Sequence, residues 1–327
     1  MLLVGCGSSG HGAASRPPAP TGGSVGGYAN PVYDGDFPDP AVLRVGRTYY
    51  AYATQGGGKN IQTLTSPDLV HWRPGGDAMP DLAAWADGGY TWAPEVIDLD
   101  GSYVMYYVAR GSKEGIQCIG RATAKGPGGP FTDSSSTPLI CQTSLGGSID
   151  PNPMRAADGS LYLYWKNDGN CCAKPVHLWG QRLSNDGAHL VGAPVALLTN
   201  DKAWQGNLVE APEMVAHGGA YVLFYSANNY ASANYGIGYG SCRGPLGPCV
   251  DASSRSLIPS NDAAAGPGHC FVLTTPAGAS EMVYHAWPPD AVGSTSPGRQ
   301  LWLEPITWRG NVPEVHPSQA AGQSVPK

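Results

Sequence analysis

Five aromatic-rich apolar stretches recur along the chain at a nearly constant interval: TYYAYAT from Thr48, SYVMYYVA from Ser102, LYLYWKND from Leu161, AYVLFYSAN from Ala220 and SEMVYHAW from Ser280. Their starts are 54, 59, 59 and 60 residues apart. Each is short and dominated by β-branched and aromatic residues. Three are introduced by turn-forming pairs, Asp100-Gly101, Asp158-Gly159 and Gly218-Gly219. That combination reads as a strand entered through a tight turn. A period of this length leaves room for several strands per unit, which is the signature of a β-propeller whose four-stranded blades surround a central axis. Five units predict an all-β, five-bladed propeller. A β-sandwich with accidental spacing is the competing reading, but its strands would recur about every 8–12 residues.

A second, polar series keeps the same beat: Asp39-Pro40, Pro94-Glu95, Asp150-Pro151, Glu210-Ala211-Pro212 and Gly268-His269. From Asp39 to Glu95, Asp150, Glu210 and His269 the steps are 56, 55, 60 and 59 residues. It lies just ahead of each apolar strand, where the innermost strand of a blade would run, so its side chains are expected to converge on the axis.

Composition agrees with this architecture and excludes others. The 327 residues include 46 Gly and 30 Pro, which suit turns and break helices, so long charged helical repeats are excluded. With 9 Trp, 17 Tyr and 4 Phe and 42% hydrophobic residues, a packed core is available and the chain is not disordered. Only 13% of residues are charged and the net charge is −6, which provides no basic face for nucleic acid.

The N-terminal residues 1–27 read as an address and tether. Leu3-Val4-Gly5-Cys6 has the form of a bacterial lipobox, in which the cysteine is lipidated, and the Gly, Ser, Ala and Pro run that follows is a flexible spacer. Only Met1 to Val4 remain for the basic and apolar regions of a signal peptide, so a full signal peptide would begin upstream. No run of about 18 apolar residues follows. The expectation is an extracytoplasmic, envelope-attached or secreted protein that meets the membrane only through Cys6. Residues 28–315 form the propeller and residues 316–327 a C-terminal tail. Seven further cysteines suit an oxidising compartment. Cys242 and Cys249 bracket a short Gly/Pro loop, Cys118 and Cys141 are a second candidate pair, and adjacent Cys171 and Cys172 a third, which leaves Cys270 over. Connectivity cannot be read from sequence, and no spacing suits a zinc site.

If the repeats converge, Asp39, Asp150 and Glu210 share one axial pocket. Like charges and burial there raise proton affinity, so one carboxyl can stay protonated beside an ionised one. That is the equipment of glycoside hydrolysis.

These residues resemble glycoside hydrolase family 43, five-bladed propeller enzymes acting on arabinosides and xylosides. The resemblance covers residues 30–315. It rests on Asn30-Pro31 with Phe37-Pro38-Asp39-Pro40, Ser66-Pro67-Asp68-Leu69 with Trp72, Trp92-Ala93-Pro94-Glu95, Ser148-Ile149-Asp150-Pro151, Glu210-Ala211-Pro212 and Gly266-Pro267-Gly268-His269. It implies Asp39 as the base that activates water, Glu210 as the general acid, Asp150 as the carboxylate that orients and tunes the acid, and inversion at the anomeric carbon. His269 resembles an axial histidine near a bound calcium ion, acting through water or as a substrate contact. Trp92, Trp204, Trp287 and Arg299 are further candidates for sugar contact, with core packing or an inter-blade ion pair as their alternatives. Asp36, Glu95 and Glu213 are expected in supporting positions.

The expected activity is hydrolysis of arabinose- or xylose-containing glycans, first of all as an α-L-arabinofuranosidase-type furanosidase. Endo-arabinanase, β-xylosidase and a non-catalytic carbohydrate-binding propeller are the alternatives. Retaining relatives would carry Arg-Asp-Pro where this chain has Ile149-Asp150-Pro151. No organic cofactor is indicated, and a monomer is expected.

Overall fold

A computed structural model describes residues 27–317 and 323–326. The lipobox-like segment with Cys6 and nearly all of the tether lie outside the described residues.

The five apolar stretches are the second strands of five antiparallel sheets, and each begins at the residue read from the sequence: Thr48–Ala53, Ser102–Gly111, Leu161–Asn167, Ala220–Ala227 and Ser280–Trp287. Each sheet runs in sequence order, first strand to last. The first strands, Ala41–Val45, Ala86–Leu99, Ser148–Arg155, Val209–His217 and Ala265–Thr274, touch one another in a closed ring. They line the axis of a five-bladed β-propeller. Four blades have four strands; in blade two, the bridges Thr123↔Thr132 and Ile119↔Ile140 stand at the outer edge of a three-stranded sheet.

The second strands are apolar on both faces because both are covered by neighbouring blades. Five hydrophobic clusters result, one in each inter-blade space; Met105 and Tyr107 of blade two, for example, pack with Tyr52 and Ile61 of blade one. Tyrosine suits this position because its ring fills the interface while its hydroxyl crosses it to a backbone acceptor. Tyr52 donates to Pro127 O at 2.5 Å, Tyr106 to Gly187 O at 2.6 Å and Tyr164 to Pro245 O at 2.9 Å. Each bond ties one blade to an outer turn of the next. At Gly187, with φ of 65°, a Cβ would stand 2.5 Å from the Tyr106 hydroxyl, so glycine is required there.

The ring closes through the N-terminal segment on blade five. Asn30 Nδ2 donates to Leu303 O at 2.8 Å, Leu303 N returns a bond to Asn30 Oδ1 at 2.9 Å, and Phe37 N donates to Arg299 O at 2.8 Å. Residues 316–327, expected as a tail, include Gln323–Ser324, which pairs antiparallel with Gly27–Tyr28. Cys118–Cys141, Cys171–Cys172 and Cys242–Cys249 are bonded, and Cys270 is free and buried.

Candidate functional site

Every blade places one residue of left-handed backbone at the axial end of its first strand: Asp39 (φ 55°), Ala93 (41°), Asp150 (56°), Ala211 (50°) and His269 (49°). None is glycine, four precede proline, and this conformation costs about 1–3 kcal/mol at each. In blades two to five the pairing with the second strand slips at this point, a β-bulge that re-aims the chain toward the axis.

The bulges are held by side chains from the preceding blade. The Ala93 N–H donates to Thr54 Oγ1 at 2.9 Å, Ala211 N–H to Asp150 Oδ2 at 2.9 Å, His269 N–H to Ser226 Oγ at 2.7 Å and Asp39 N–H to His285 Nδ1 at 3.1 Å. Thr54, Ser226 and His285 occupy the same place on their second strands, opposite the residue before the bulge. In blade three that place is held by Lys166.

The sequence register needs one correction. Asp39, Asp150 and His269 occupy equivalent bulge positions, but their equivalents in blades two and four are Ala93 and Ala211, not Glu95 and Glu210. Glu210 reaches the cavity from the residue before the bulge. Glu95 and Glu213 lie two residues after it, level with Asn152, and form a deeper layer in which Asn152 Nδ2 donates to both carboxyls. Burial and mutual repulsion push Glu95 well above the carboxylate range, and burial takes Glu213 to about 8. These are supporting groups below the cavity floor.

Asp39, Asp150 and Glu210 all line a cavity of about 360 Å³ at the axis. Asp39 accepts from Thr54 Oγ1 at 2.5 Å and from Arg299 Nη1 at 2.8 Å, and His269 Nδ1 lies 3.2 Å away. Burial alone would raise its pKa, but the charges of Arg299 and His269 outweigh it and hold the carboxyl well below its ordinary value. Asp39 is therefore held as a carboxylate. Burial lowers the pKa of His269, but Asp39, Asp150 and Glu210 together raise it above its ordinary value, whereas burial and Arg299 depress that of His285. Neutral His285, with Nδ1 accepting from the Asp39 N–H, carries its proton on Nε2.

Glu210 is gripped at both oxygens. Tyr235 OH donates to Oε1 at 2.8 Å and Lys166 Nζ to Oε2 at 3.2 Å. Lys166 has no exposed side-chain surface; its ammonium also bonds Asn170 Oδ1 at 2.6 Å and lies 3.6 Å from Asp168. Burial opposes this charge, and Glu210, Asp150 and Asp168 together stabilise it. Asp150 is raised to about 6 by burial, relieved by His269 and increased again by Glu210. Its other role is mechanical, because the Ala211 N–H that it accepts belongs to the residue next to Glu210.

Trp92, Arg299 and His269 line the cavity with the three carboxyls. Arg299 does so while bridging blades five and one, with its guanidinium 5.0 Å from the Tyr230 ring centre and 5.9 Å from that of Trp287. Asp36 Oδ1 accepts from the Arg299 N–H at 2.9 Å and so positions that residue. Trp204 does not reach the cavity. It lies against the core between blades three and four, stacked 6.1 Å from Tyr225, with Nε1 donating to Ser253 O at 3.0 Å. The loop segments 169–175 and 229–235 supply Asn170, Cys171 and Tyr230 to the lining, whereas Ala78, Met79 and Trp85 of segment 78–89 are buried in the core.

Thr54, Lys166, Tyr235 and His285 were not singled out in the sequence. A signal existed for three: the column Thr54, Val108, Lys166, Ser226, His285 stands at a nearly fixed offset in the apolar stretches and is polar in four of five. Tyr235 lies in a loop with no repeat partner. Among the described residues no three His, Cys, Asp or Glu are grouped as metal ligands, and His269 Nδ1 faces Asp39 Oδ1 at 3.2 Å, so a calcium ion near His269 would be held through water rather than by the imidazole.

Residues 28–313 match the family model described as glycosyl hydrolases family 43. Among solved structures, a thermostable family-43 glycoside hydrolase superposes with a TM-score of 0.81 at 30% identity, covering 92% of this chain and 99% of that one. A beta-D-galactofuranosidase of Aspergillus niger is 26% identical over 272 residues, 78% of this chain and 75% of its own length. A non-reducing end alpha-L-arabinofuranosidase of Bacteroides ovatus is 25% identical over 311 residues, 86% of this chain; the alignment spans 52% of that longer protein.

Proposed function

Because the chain belongs to family 43 of the glycosyl hydrolases, and is a glycoside hydrolase on that ground, we propose that it hydrolyses arabinose- or xylose-containing glycans with inversion, first of all at a terminal α-L-arabinofuranoside. The observation that carries this reading is the convergence of Asp39, Asp150 and Glu210 on one axial cavity, with Arg299 on Asp39 and Lys166 on Glu210. Asp39 is held ionised by Arg299 and His269, as a base must be. Glu210, which comes from blade four with blade five between it and Asp39, is oriented by Tyr235 and Lys166.

In the reaction, Glu210 must first take up a proton, which it then gives to the glycosidic oxygen as the bond to the anomeric carbon breaks. Water attacks the opposite face and loses a proton to Asp39. Positive charge developing on the sugar ring is met by the carboxylates around it, Asp150 included. Inversion needs the two carboxyls about 6.5–9.5 Å apart, leaving room for that water.

A furanoside is favoured because two relatives with different sugars, the galactofuranosidase and the arabinofuranosidase, share the five-membered ring in their names. An extracytoplasmic location is part of the proposal, supported by three disulfides and by the lipobox-like Leu3-Val4-Gly5-Cys6.

The test is release of aryl alcohol from α-L-arabinofuranoside, β-D-xyloside, α-D-arabinofuranoside and β-D-galactofuranoside, with Glu210→Gln and Asp39→Asn in parallel. Release from the arabinofuranoside that is lost in both variants is expected. Activity confined to the xyloside or galactofuranoside would reject the sugar, and full activity in either variant would reject the mechanism.

A further inference from the structure

The three disulfides differ in where they lie. Cys118 and Cys242 are buried, and their bonds join strand segments within blades two and four. Cys171 and Cys172 are both exposed, in the loop between Leu161–Asn167 and His177–Leu183, and Cys171 lines the cavity. A bond between sequence neighbours closes almost no chain, so it restricts the unfolded state far less than a long-range bridge does. Its use must be sought in the folded molecule.

The turn that carries it is held on all sides. Gly169–Cys172 form a single 3₁₀ turn that ends on Ala173 with φ of 54°. Beneath it, Asn167 Nδ2 donates to Leu145 O at 3.1 Å and Pro175 O at 2.9 Å, and Lys174 Nζ to Ser144 O at 2.7 Å. Cys171 Sγ rests 3.5 Å from Gly146 O. Glycine is required at 169, where a Cβ would stand 2.5 Å from Pro175 O. Such a turn presents its sulfurs in a fixed place.

The surface it presents is unlike the rest of the lining. Among the lining residues, Trp92, Ile149, Tyr230 and Cys171 stand against a majority of charged or polar side chains. A sugar has polar edges and C–H faces, and needs both kinds of wall. A disulfide is polarisable and, unlike a thiol, has no proton to donate.

We propose that the Cys171–Cys172 disulfide is a substrate-contacting wall of the cavity, packed against a C–H face of the bound sugar. The inference rests on the glycan-hydrolase reading above and adds a contact to it. Asn170, next to the disulfide, bonds Lys166, which bonds Glu210, so a merely structural role for the turn would be felt in kcat through the acid. A contact role is felt in substrate affinity.

The experiment compares the protein with its Cys171→Ala/Cys172→Ala variant, both checked for an unchanged melting temperature. On the aryl glycoside that is turned over, KM is expected to rise about tenfold with kcat within about twofold. Phosphine reduction of the unaltered protein, in which the S–S bond and one water yield two thiols and phosphine oxide, should raise KM alike and leave the double variant unaffected. Calorimetry in the Glu210→Gln background with arabinotriose and xylotriose reads affinity without turnover. Equal affinity with and without the two cysteines overturns the wall and leaves the hydrolase intact. A fall in kcat at constant KM assigns the turn to Lys166 and also overturns it. Absence of binding to either trisaccharide in both proteins, with no turnover of any glycoside, overturns the wall together with the function on which it rests.

Discussion

Replacing Asp150 by Asn should make the protein more stable while removing its activity. The carboxyl is buried at the axis, and its pKa is raised from the ordinary 3.8 to about 6, by burial first, with His269 easing and Glu210 adding to the effect. A folded-state pKa above the unfolded one means that folding is opposed by ionisation. Below pH 3.8 both states are protonated and there is no penalty; between pH 3.8 and about 6 the penalty grows; above 6 it is complete. A displacement of this size corresponds to about 3 kcal/mol. Asn has nearly the same shape, and its amide oxygen can still accept the Ala211 N–H now bonded to Asp150 Oδ2. Urea unfolding should therefore find Asp150→Asn about 2–3 kcal/mol more stable at pH 8, a rise of roughly 3–5 °C in melting temperature, and the difference should vanish near pH 4. The same variant should lose activity by about a hundredfold or more, since the negative charge beside the acid is gone. A variant that is less stable at pH 8, or a stability difference that does not change with pH, would refute the electrostatic reasoning.

Three other substitutions probe the same cavity. Lys166→Met should destabilise by about 3–5 kcal/mol at pH 8, because a buried cation is removed from Glu210 and Asp168; thermal melting should show the deficit shrinking as pH falls and Asp168, whose pKa burial raises, takes up its proton. Arg299→Gln should move the acid limb of kcat/KM to higher pH by about one to three units, since the guanidinium is the largest influence holding Asp39 below its ordinary value. Gly268→Ala would bring a Cβ within 1.9 Å of the Tyr235 ring, displacing the hydroxyl from Glu210; kcat should fall at least as far as in Tyr235→Phe.

The strand periodicity was legible because each second strand faces a neighbouring blade on both sides and must be apolar throughout, so Thr48, Ser102, Leu161, Ala220 and Ser280 could be placed to the residue. Asp39, Asp150 and His269 were legible for a related reason: the bulge needs a left-handed residue, usually before proline, at one fixed place in every blade. Glu95 fell into the same series only because an acid next to Pro94 imitates that pattern; the bulge itself lies at Ala93. Lys166 went unread inside an apolar strand, where its meaning depends on carboxylates contributed by another blade. Trp204 and Trp92 look alike in sequence, since both are aromatic residues near the entry to a first strand. Only closure of the ring turns Trp92 toward the cavity and Trp204 into the core against Tyr225. The cavity mouth was least legible, because Asn170, Cys171 and Tyr230 stand on the loops between second and third strands, whose sequences and lengths do not repeat from blade to blade.

The most direct test of the paired roles of Asp39 and Glu210 is the anomeric configuration of the first-formed sugar, followed by proton NMR during hydrolysis of the aryl glycoside that the protein cleaves. Attack by a water held on Asp39 predicts that the product appears first with the configuration opposite to the substrate and equilibrates only afterwards. First-formed product with the substrate's own configuration would mean a covalent glycosyl-enzyme intermediate, and would contradict the assignment of Asp39 as a base acting through water.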